Sequence, residues 1–480
     1  MTEIPHNIIK AQKVSNLILF SISFASFMVN LDTYIVNISL PSITSSFNTT
    51  AGEVSWVALS YNLTVASLLI IFGKLGDKLG LKKVFLSGLS IFTISSLLCG
   101  LSPSLHCLIG ARFLQGIGAS ILYAMTPAMV PKYLPENMRG PAFGTLATAA
   151  ALGIIIGTPL GGLLTGYLSW HWIFYINILP GIAAIIVCNH IIPDDEKSWR
   201  KNTETFDFPG SFLSFFASLT FIYGLNMGHE LGWTSFTIGG SFFIAVLSII
   251  IFILWEYRTS DPLVELNLFK NSGFTWGNIA GFFASNFLSG HNFLMPFYLT
   301  LILKLSPQEA GIIYMVYSAI YMITGPLTGK FSTSENSAML STVSMIAGSI
   351  STFIFAFFIS SKSFTSVIIY FISLGIVYGI FITANNNLVI GMAPEGKHGI
   401  VSGIFRMTGR LGMASGVCIF ETIFSSGFDT NNYSSISSNF LVNGFYIAYM
   451  SGGLIFMLTA ICSIIPVLHK NVIKQNEVIK

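Results

Sequence analysis

Charge is scarce in this chain. Asp, Glu, Lys and Arg together make up only 9% of its 480 residues, against about 25% in an ordinary soluble protein, which excludes a water-facing globular surface. The net charge of +3 is too small for a nucleic-acid-binding face, so nucleic acid is not an expected partner. Cysteine is also sparse. Cys99, Cys107, Cys188, Cys418 and Cys462 form no Cys-x-x-Cys pair and fall mostly in or beside apolar runs, where a thiol behaves as a small hydrophobe. Neither a structural disulfide nor a metal site is expected. No Gly-x-x-x-x-Gly-Lys-Ser/Thr phosphate loop occurs, and no polar stretch is long enough for a catalytic domain. An ATP-driven pump, an enzyme and a bound cofactor are therefore all unexpected. "MTEIPHNIIKAQK" reads as a short polar tail, and the run behind it exceeds the apolar core of a cleavable signal, about 7–15 residues.

Hydrocarbon takes the place of charge. The chain is 53% hydrophobic and 14% aromatic, with a mean hydropathy of +0.73, which implies an all-α integral membrane protein in contact with the lipid bilayer. A bilayer span needs about 20 mainly apolar residues. Such runs lie at 16–40, 54–73, 84–102, 105–130, 141–165, 171–192, 208–228, 236–255, 273–299, 308–330, 339–360, 364–390, 399–424 and 442–468, fourteen expected spans. Placing the N-terminus inside puts eighteen Lys and Arg residues, from Lys10 to Lys480, in inner loops and tails, and only Lys304 and Lys362 outside. That asymmetry predicts cytoplasmic termini in a plasma or inner membrane.

Fifteen residues, "LGIIIGTPLGGLLTG" from Leu152 to Gly166, hold Gly153, Gly157, Pro159, Gly161, Gly162 and Gly166 inside an apolar run. In water each internal Gly costs roughly 1 kcal/mol and a Pro about 3; in a bilayer, small residues let two helix backbones approach. The stretch therefore asks for a partner helix. A shift of 259 residues lays Pro135, Glu136, Gly140 and Gly144 over Pro394, Glu395, Gly399 and Gly403, and Leu152, Gly153 and Gly157 over Leu411, Gly412 and Gly416. Spans 4 and 5 thus recur as spans 12 and 13 in the same orientation, a parallel repeat about an axis along the membrane normal. This predicts a six-span bundle over 1–192, a linker with two inserted spans over 193–272, and a second bundle over 273–480. Spans 5 and 13 are expected to pair across the pseudo-twofold.

In this arrangement four stretches resemble motifs of the major facilitator superfamily, specifically its fourteen-span drug:proton antiporter branch. "GKLGDKLGLKK" (73–83) is similar to the loop between spans 2 and 3, "RFLQGIGAS" (112–120) to the span-4 motif with its buried Arg, "LDTYIVNISLP" (31–41) to the span-1 motif, and the 152–166 stretch to the span-5 antiporter motif. One departure stands out: the family commonly has Gly-Pro where this chain has Gly157-Thr158-Pro159. The 73–83 loop is expected to act as a charge latch of Gly73, Asp77, Gly80 and Lys82, with Gly76 also allowing close backbone approach; a topogenic basic loop with an incidental acid is the alternative. Its counterpart in the second half has Gly329 where Asp77 would fall, so the latch is one-sided.

An ionised side chain within a span costs several kcal/mol unless paired or hydrated, so each is a functional candidate. Asp32 on span 1 and Arg112 on span 4 lie at comparable depth, roughly 10–12 Å from the outer ends at 1.5 Å per residue. They are expected to communicate and to couple transport to protons. Glu421, near the outer end of span 13, is either solvated or involved in substrate or proton handling. His291, mid-span on 9, could titrate near neutrality or simply pack. Arg406 and Arg410 share a helix face, with snorkelling to the inner surface the simpler reading of Arg406. The resemblance implies a monomeric, proton-driven exporter of hydrophobic small molecules, cationic ones favoured by the anionic Asp32. A metabolite carrier and a non-transporting sensor are the alternatives.

Overall fold

The structure, a computed structural model, describes residues 6–194, 207–259, 266–333, 336–392, 398–426 and 438–478. Every regular element among them is helical. Eleven helices among the described residues are long and apolar enough to cross a membrane. The elements in chain order are α1 (His6–Ile35), α2 (Leu40–Phe47), α3 (Ala51–Leu79), α4 (Leu81–Gly100), α5 (Leu105–Tyr133), α6 (Glu136–Tyr167), α7 (Trp172–Tyr175), α8 (Ile178–Ile191), α9 (Phe208–Leu231), α10 (Phe236–Glu256), α11 (Ser272–Phe297), α12 (Pro307–Phe331), α13 (Ser337–Phe358), α14 (Phe364–Gly391), α15 (His398–Ser425) and α16 (Ser438–Val478).

Local chemistry sets these boundaries. Capping boxes start α3 and α12: the Thr50 and Ser306 hydroxyls accept from the amides of Glu53 and Glu309, whose carboxylates accept in return from the cap amides. Gly80, at φ +96°, turns α3 directly into α4 in a conformation that side-chain-bearing residues rarely adopt. Two sequence expectations shift. The N-terminal tail is helical from His6, and the first span is not continuous to residue 40, because a 3₁₀ turn at Asn37–Ser39 separates α1 from α2.

Helices α1–α8 pack chiefly on one another, as do α11–α16, and α9 and α10 form a separate hairpin. Equivalent contacts recur in the two groups. An added Cβ at Gly153 would meet the Phe27 carbonyl at 2.5 Å, and one at Gly412 the Phe282 carbonyl at 2.3 Å; Gly157 and Gly416 do the same with the carbonyls of Leu31 and Asn286. Gly116 lies against the Tyr61 carbonyl as Gly375 lies against that of Tyr317. The glycines do face other helices, but the expected pairing of spans 5 and 13 is corrected. α6 packs on α1 and α15 on α11, each within its own group, and the faces they turn to the other group are taken by α12 and α3.

Contacts between the groups run along two other seams, α6 with α12 and α3 with α15, and α9 packs against the second. At the end of the molecule that carries Asn48, the first seam is closed. A Cβ at Gly162 would lie 2.6 Å from both the Gly311 Cα and the Pro307 carbonyl. Toward the end that carries Gly80 the packing thins: Tyr314 and Ser318 of α12 are buried, whereas Met322, Ile323, Leu327 and Phe331 are exposed. Gly144 on α6 and Gly403 on α15 have open space where a Cβ would stand. On α10, Phe243, Val246, Ile250 and Leu254 are exposed side by side, a hydrocarbon surface far too large for a monomer in water and suited to lipid.

Candidate functional site

Asp32 and Arg112 meet in the interior of the first group. Arg112 Nη1 donates to Asp32 Oδ2 at 2.6 Å, and neither residue exceeds 1% exposure. The same nitrogen donates to Gln115 Oε1 at 2.7 Å, and Nε donates to the Val57 carbonyl at 3.0 Å. The other carboxylate oxygen, Oδ1, accepts from Gln115 Nε2 and from Asn177 Nδ2, both at 2.9 Å. Gln115 Nε2 also donates to Ser96 Oγ at 2.8 Å, and the Arg112 guanidinium lies 4.1 Å from the Tyr61 ring centroid. Burying two opposite charges costs several kcal/mol per ion, offset only when geometry is good and remaining lone pairs and protons are bonded. Four helices and a turn supply that satisfaction here: α1, α3, α4 and α5, with Asn177 between α7 and α8. The carboxylate's ionisation therefore depends on a guanidinium that favours it and a burial that opposes it.

Gln115, Asn177 and Ser96 went unread in the sequence. Gln115 lies three residues beyond Arg112, hence on the same helix face, and that spacing was the available signal. Asn177 is set by the interruption of the sixth apolar run after Tyr175, which the run's continuous apolar character conceals.

The other candidates do not join this network. His291 is 2% exposed inside the second group, its Nδ1 3.1 Å from the Tyr449 hydroxyl, with the rings of Phe287, Tyr370 and Phe371 around it. Glu421 is buried, not solvated at the surface, on the stretch of α15 whose Thr422 donates to the Leu225 carbonyl of α9. In the 73–83 loop the side chains of Asp77, Lys74 and Lys78 lie outside the described residues. Lys82 is buried, and its Nζ contacts Asp194 Oδ1 at 2.7 Å, tying α4 to the chain beyond α8. A Cβ at Gly76 would meet the flexible end of Met125, at 2.5 Å, and Gly73 faces open space, so no backbone of another helix comes close at either position. Pro159 lies inside α6, its carbonyl 3.0 Å from where a Gly311 Cβ would be, and Gly161 packs on the Ile35 carbonyl.

Arg410 reaches across the interface. Its guanidinium crosses from the second group to the first, 4.4 Å from the Tyr123 ring centroid on α5, with Nη1 3.4 Å from Asn62 Oδ1 on α3. Arg406, one turn away on the same face, is exposed where the groups part. Among the described side chains, the charge on these facing surfaces is thus positive. Asp32 is sealed behind its own hydrogen bonds, which removes the basis for favouring cations.

Residues 22–417 match the Major Facilitator Superfamily. The chain belongs to that family. It is 31% identical over 427 residues to a riboflavin transporter of Clostridioides difficile, spanning 89% of this chain and 92% of that protein. It is 34% identical over 295 residues to a putative multidrug resistance protein of Escherichia coli, covering 61% of this chain and 62% of that protein. The superfamily resemblance read from the motifs is borne out, and multidrug proteins of the expected kind are among the relatives. The fold matches a crystal structure of the human organic anion transporter MFSD10 with a TM-score of 0.64 at 13% identity, covering 94% of this chain and 99% of that one. It also matches an inward-facing, unoccupied bacterial homologue of the lysosomal transporter Spinster, with a TM-score of 0.65 at 14% identity over 94% of this chain and 97% of that one. The chain is therefore a multi-pass membrane protein of a transporter family, as the composition required.

Proposed function

We propose that this superfamily member exports hydrophobic small molecules in exchange for protons. The observation that carries the reading is the buried Asp32–Arg112 pair, one titratable carboxylate held by a guanidinium and two amides with no other acid in contact among the described residues. Protonation of Asp32 removes half of an ion pair in a medium where charge is costly, so Arg112 must then find compensation elsewhere. A change in packing that opens Asp32 to one side or the other couples proton uptake to conformation. Alternating access follows from the two seams: the Gly162–Gly311 contact parts at one end as the surfaces bearing Arg406 and Arg410 close at the other.

In this reading α3, α11 and α15 cross the bilayer with the eleven helices already assigned, giving fourteen spans as six, two and six. Residues 1–192 and 273–480 form the rocking bundles, 193–272 the linker and inserted pair, and both termini face the cytoplasm of a plasma or inner membrane. The protein works as a monomer with protons, substrate and lipid as its only partners, and the proton gradient takes the place of a cofactor. The multidrug relatives support export. The riboflavin transporter, similar over more of the chain, supports a second reading, uptake of a metabolite. Transport in oriented vesicles separates the two: substrate accumulation driven by an acidic interior supports antiport, and equilibration of substrate that is indifferent to a proton gradient supports a facilitator.

A further inference from the structure

The side chains that bridge the two groups at mid-depth are cationic and aromatic. Arg406 and Arg410 lie one turn apart on α15, and no salt bridge joins either to an acid among the described residues. Arg410 stacks on Tyr123, whose hydroxyl is fixed by donating to Asn30 Oδ1 at 3.0 Å. On α12, which lines the other seam between the groups, Tyr317 and Tyr321 stack at 6.0 Å between centroids. Tyr321 is half-buried. Among the described side chains, Asp32 is held by Arg112, and Glu421 is buried farther along α15.

Two guanidinium groups at mid-span are costly unless hydrated or paired. Water reaches Arg406 on the open side, but closure of that side would strip it away. An anion bound between the groups would supply the missing partner at that moment, and the tyrosine faces offer a stacking surface for a flat ring. Arg is also the side chain suited to bidentate contact with a carboxylate or phosphate.

We propose that Arg406 and Arg410, with Tyr123 and the Tyr317–Tyr321 stack, form the substrate site and select a planar aromatic molecule bearing an anionic group. This rests on the reading of the chain as an alternating-access transporter and specifies its substrate class.

The test is equilibrium binding to the full-length protein in nanodiscs of zwitterionic lipid, with no proton gradient. Carboxyfluorescein and rhodamine 6G share a flat xanthene ring and carry opposite charge, and fluorescence polarisation reads both. Carboxyfluorescein should bind saturably and at least tenfold more tightly than rhodamine 6G. Arg406→Gln should weaken it about tenfold, Arg406→Lys less, and Arg410→Gln at least as much as Arg406→Gln. Arg406 is exposed, so its variants are expected to melt at the wild-type temperature and decide the matter should Arg410→Gln fold poorly. Equal or tighter binding of rhodamine 6G, or unchanged carboxyfluorescein affinity in Arg406→Gln, overturns the proposal. Selective binding without gradient-driven transport would count against proton coupling alone. Gradient-driven rhodamine export with no carboxyfluorescein binding would count against the anion site alone.

Discussion

Gly162 is the position where one added carbon should change conformation rather than folding. Its Cβ would stand 2.6 Å from the Gly311 Cα and from the Pro307 carbonyl, both backbone atoms of the opposite group. No rotamer change can relieve that contact. Reaching an ordinary carbon separation of about 3.6 Å requires roughly 1 Å of movement between α6 and α12. Overpacking a close contact costs about 1–3 kcal/mol, and about 2 kcal/mol lowers the ratio of closed to open forms roughly thirtyfold. Gly153 supplies the control. Its added Cβ would strike the Phe27 carbonyl at 2.5 Å and the Leu31 amide at 2.8 Å, but α1 and α6 belong to one group and must stay packed in either state. Spin labels at Leu101 and Ser361, both exposed near the Asn48 end, report the opening in a Cys107→Ser background. Gly162→Ala is expected to lengthen the distance distribution with little loss of thermal stability. Gly153→Ala is expected to lower the melting temperature and leave the distribution in place. An unchanged distribution in Gly162→Ala would refute a seam that opens there, and a lengthened one in Gly153→Ala would show that the two stripes are not separable.

Other outcomes follow from the same geometry. Asp32→Asn keeps size and hydrogen bonding and should abolish pH-driven transport while inserting normally; pH-driven transport at the wild-type rate would move the coupling role to another residue. Arg112→Ala strands a buried carboxylate at a cost of about 3–5 kcal/mol and should lower the yield of folded protein. Arg112→Lys keeps the charge without the planar fork that reaches Asp32, Gln115 and Val57 together, so it should impair transport less than Ala; full activity of both variants would leave Arg112 no part in coupling. Single cysteines at Ser198 and Asn432, positions outside the described residues, should label from inside and outside respectively in intact cells, and the reverse pattern would invert the topology. Burial holds the His171 imidazole, stacked on Trp170 at 3.7 Å, below its ordinary value of about 6.5. A depressed histidine contributes stability that is complete above pH 6.5 and declines on acidification through that range. NMR of ring-labelled histidine, assigned with His171→Gln, should show a midpoint under 6.5, and one above it would contradict the packing.

Much of this architecture was legible because a bilayer imposes strong rules on a sequence. Apolar run length gave the helices, and the 259-residue offset anticipated contacts that recur as Gly153 on Phe27 and Gly412 on Phe282. Asp32 and Arg112 were legible because few charges can reside at that depth without each other. The amides that complete their network were not, since Gln115 and Asn177 carry no charge to single them out. Glu421 and His291 were equally conspicuous in the sequence, yet neither joins that network: Glu421 is buried on α15, and His291 lies beneath aromatic rings. Opposite charge at equal depth was a better guide than rarity, because only the first implies a partner. The reach of Arg410 across the interface was not legible because sequence fixes its depth and not its direction, and Tyr123 on another helix sets the direction.

The glycine-rich stretch of α6 now divides into two interleaved stripes. Gly153, Gly157 and Gly161 recur every fourth residue, and all three lie on α1 backbone. Gly162 and Gly166 repeat the same spacing one position on, rotated by about 100° around a helix of 3.6 residues per turn, and lie on Gly311 and Gln308 of α12. A single helix thus carries one seam inside its group and one between the groups. The first is closed at successive carbonyls over two turns, whereas the second is tight only near the Asn48 end, where α12 is buried, and loosens where α12 becomes exposed. A seam confined to one end can act as a fulcrum, because small rotations separate it without unpacking the rest of the helix. The adjacent pair Gly161–Gly162 is where the two requirements meet: one glycine holds α6 to the group it moves with, and its neighbour lets α6 close against the group it moves past.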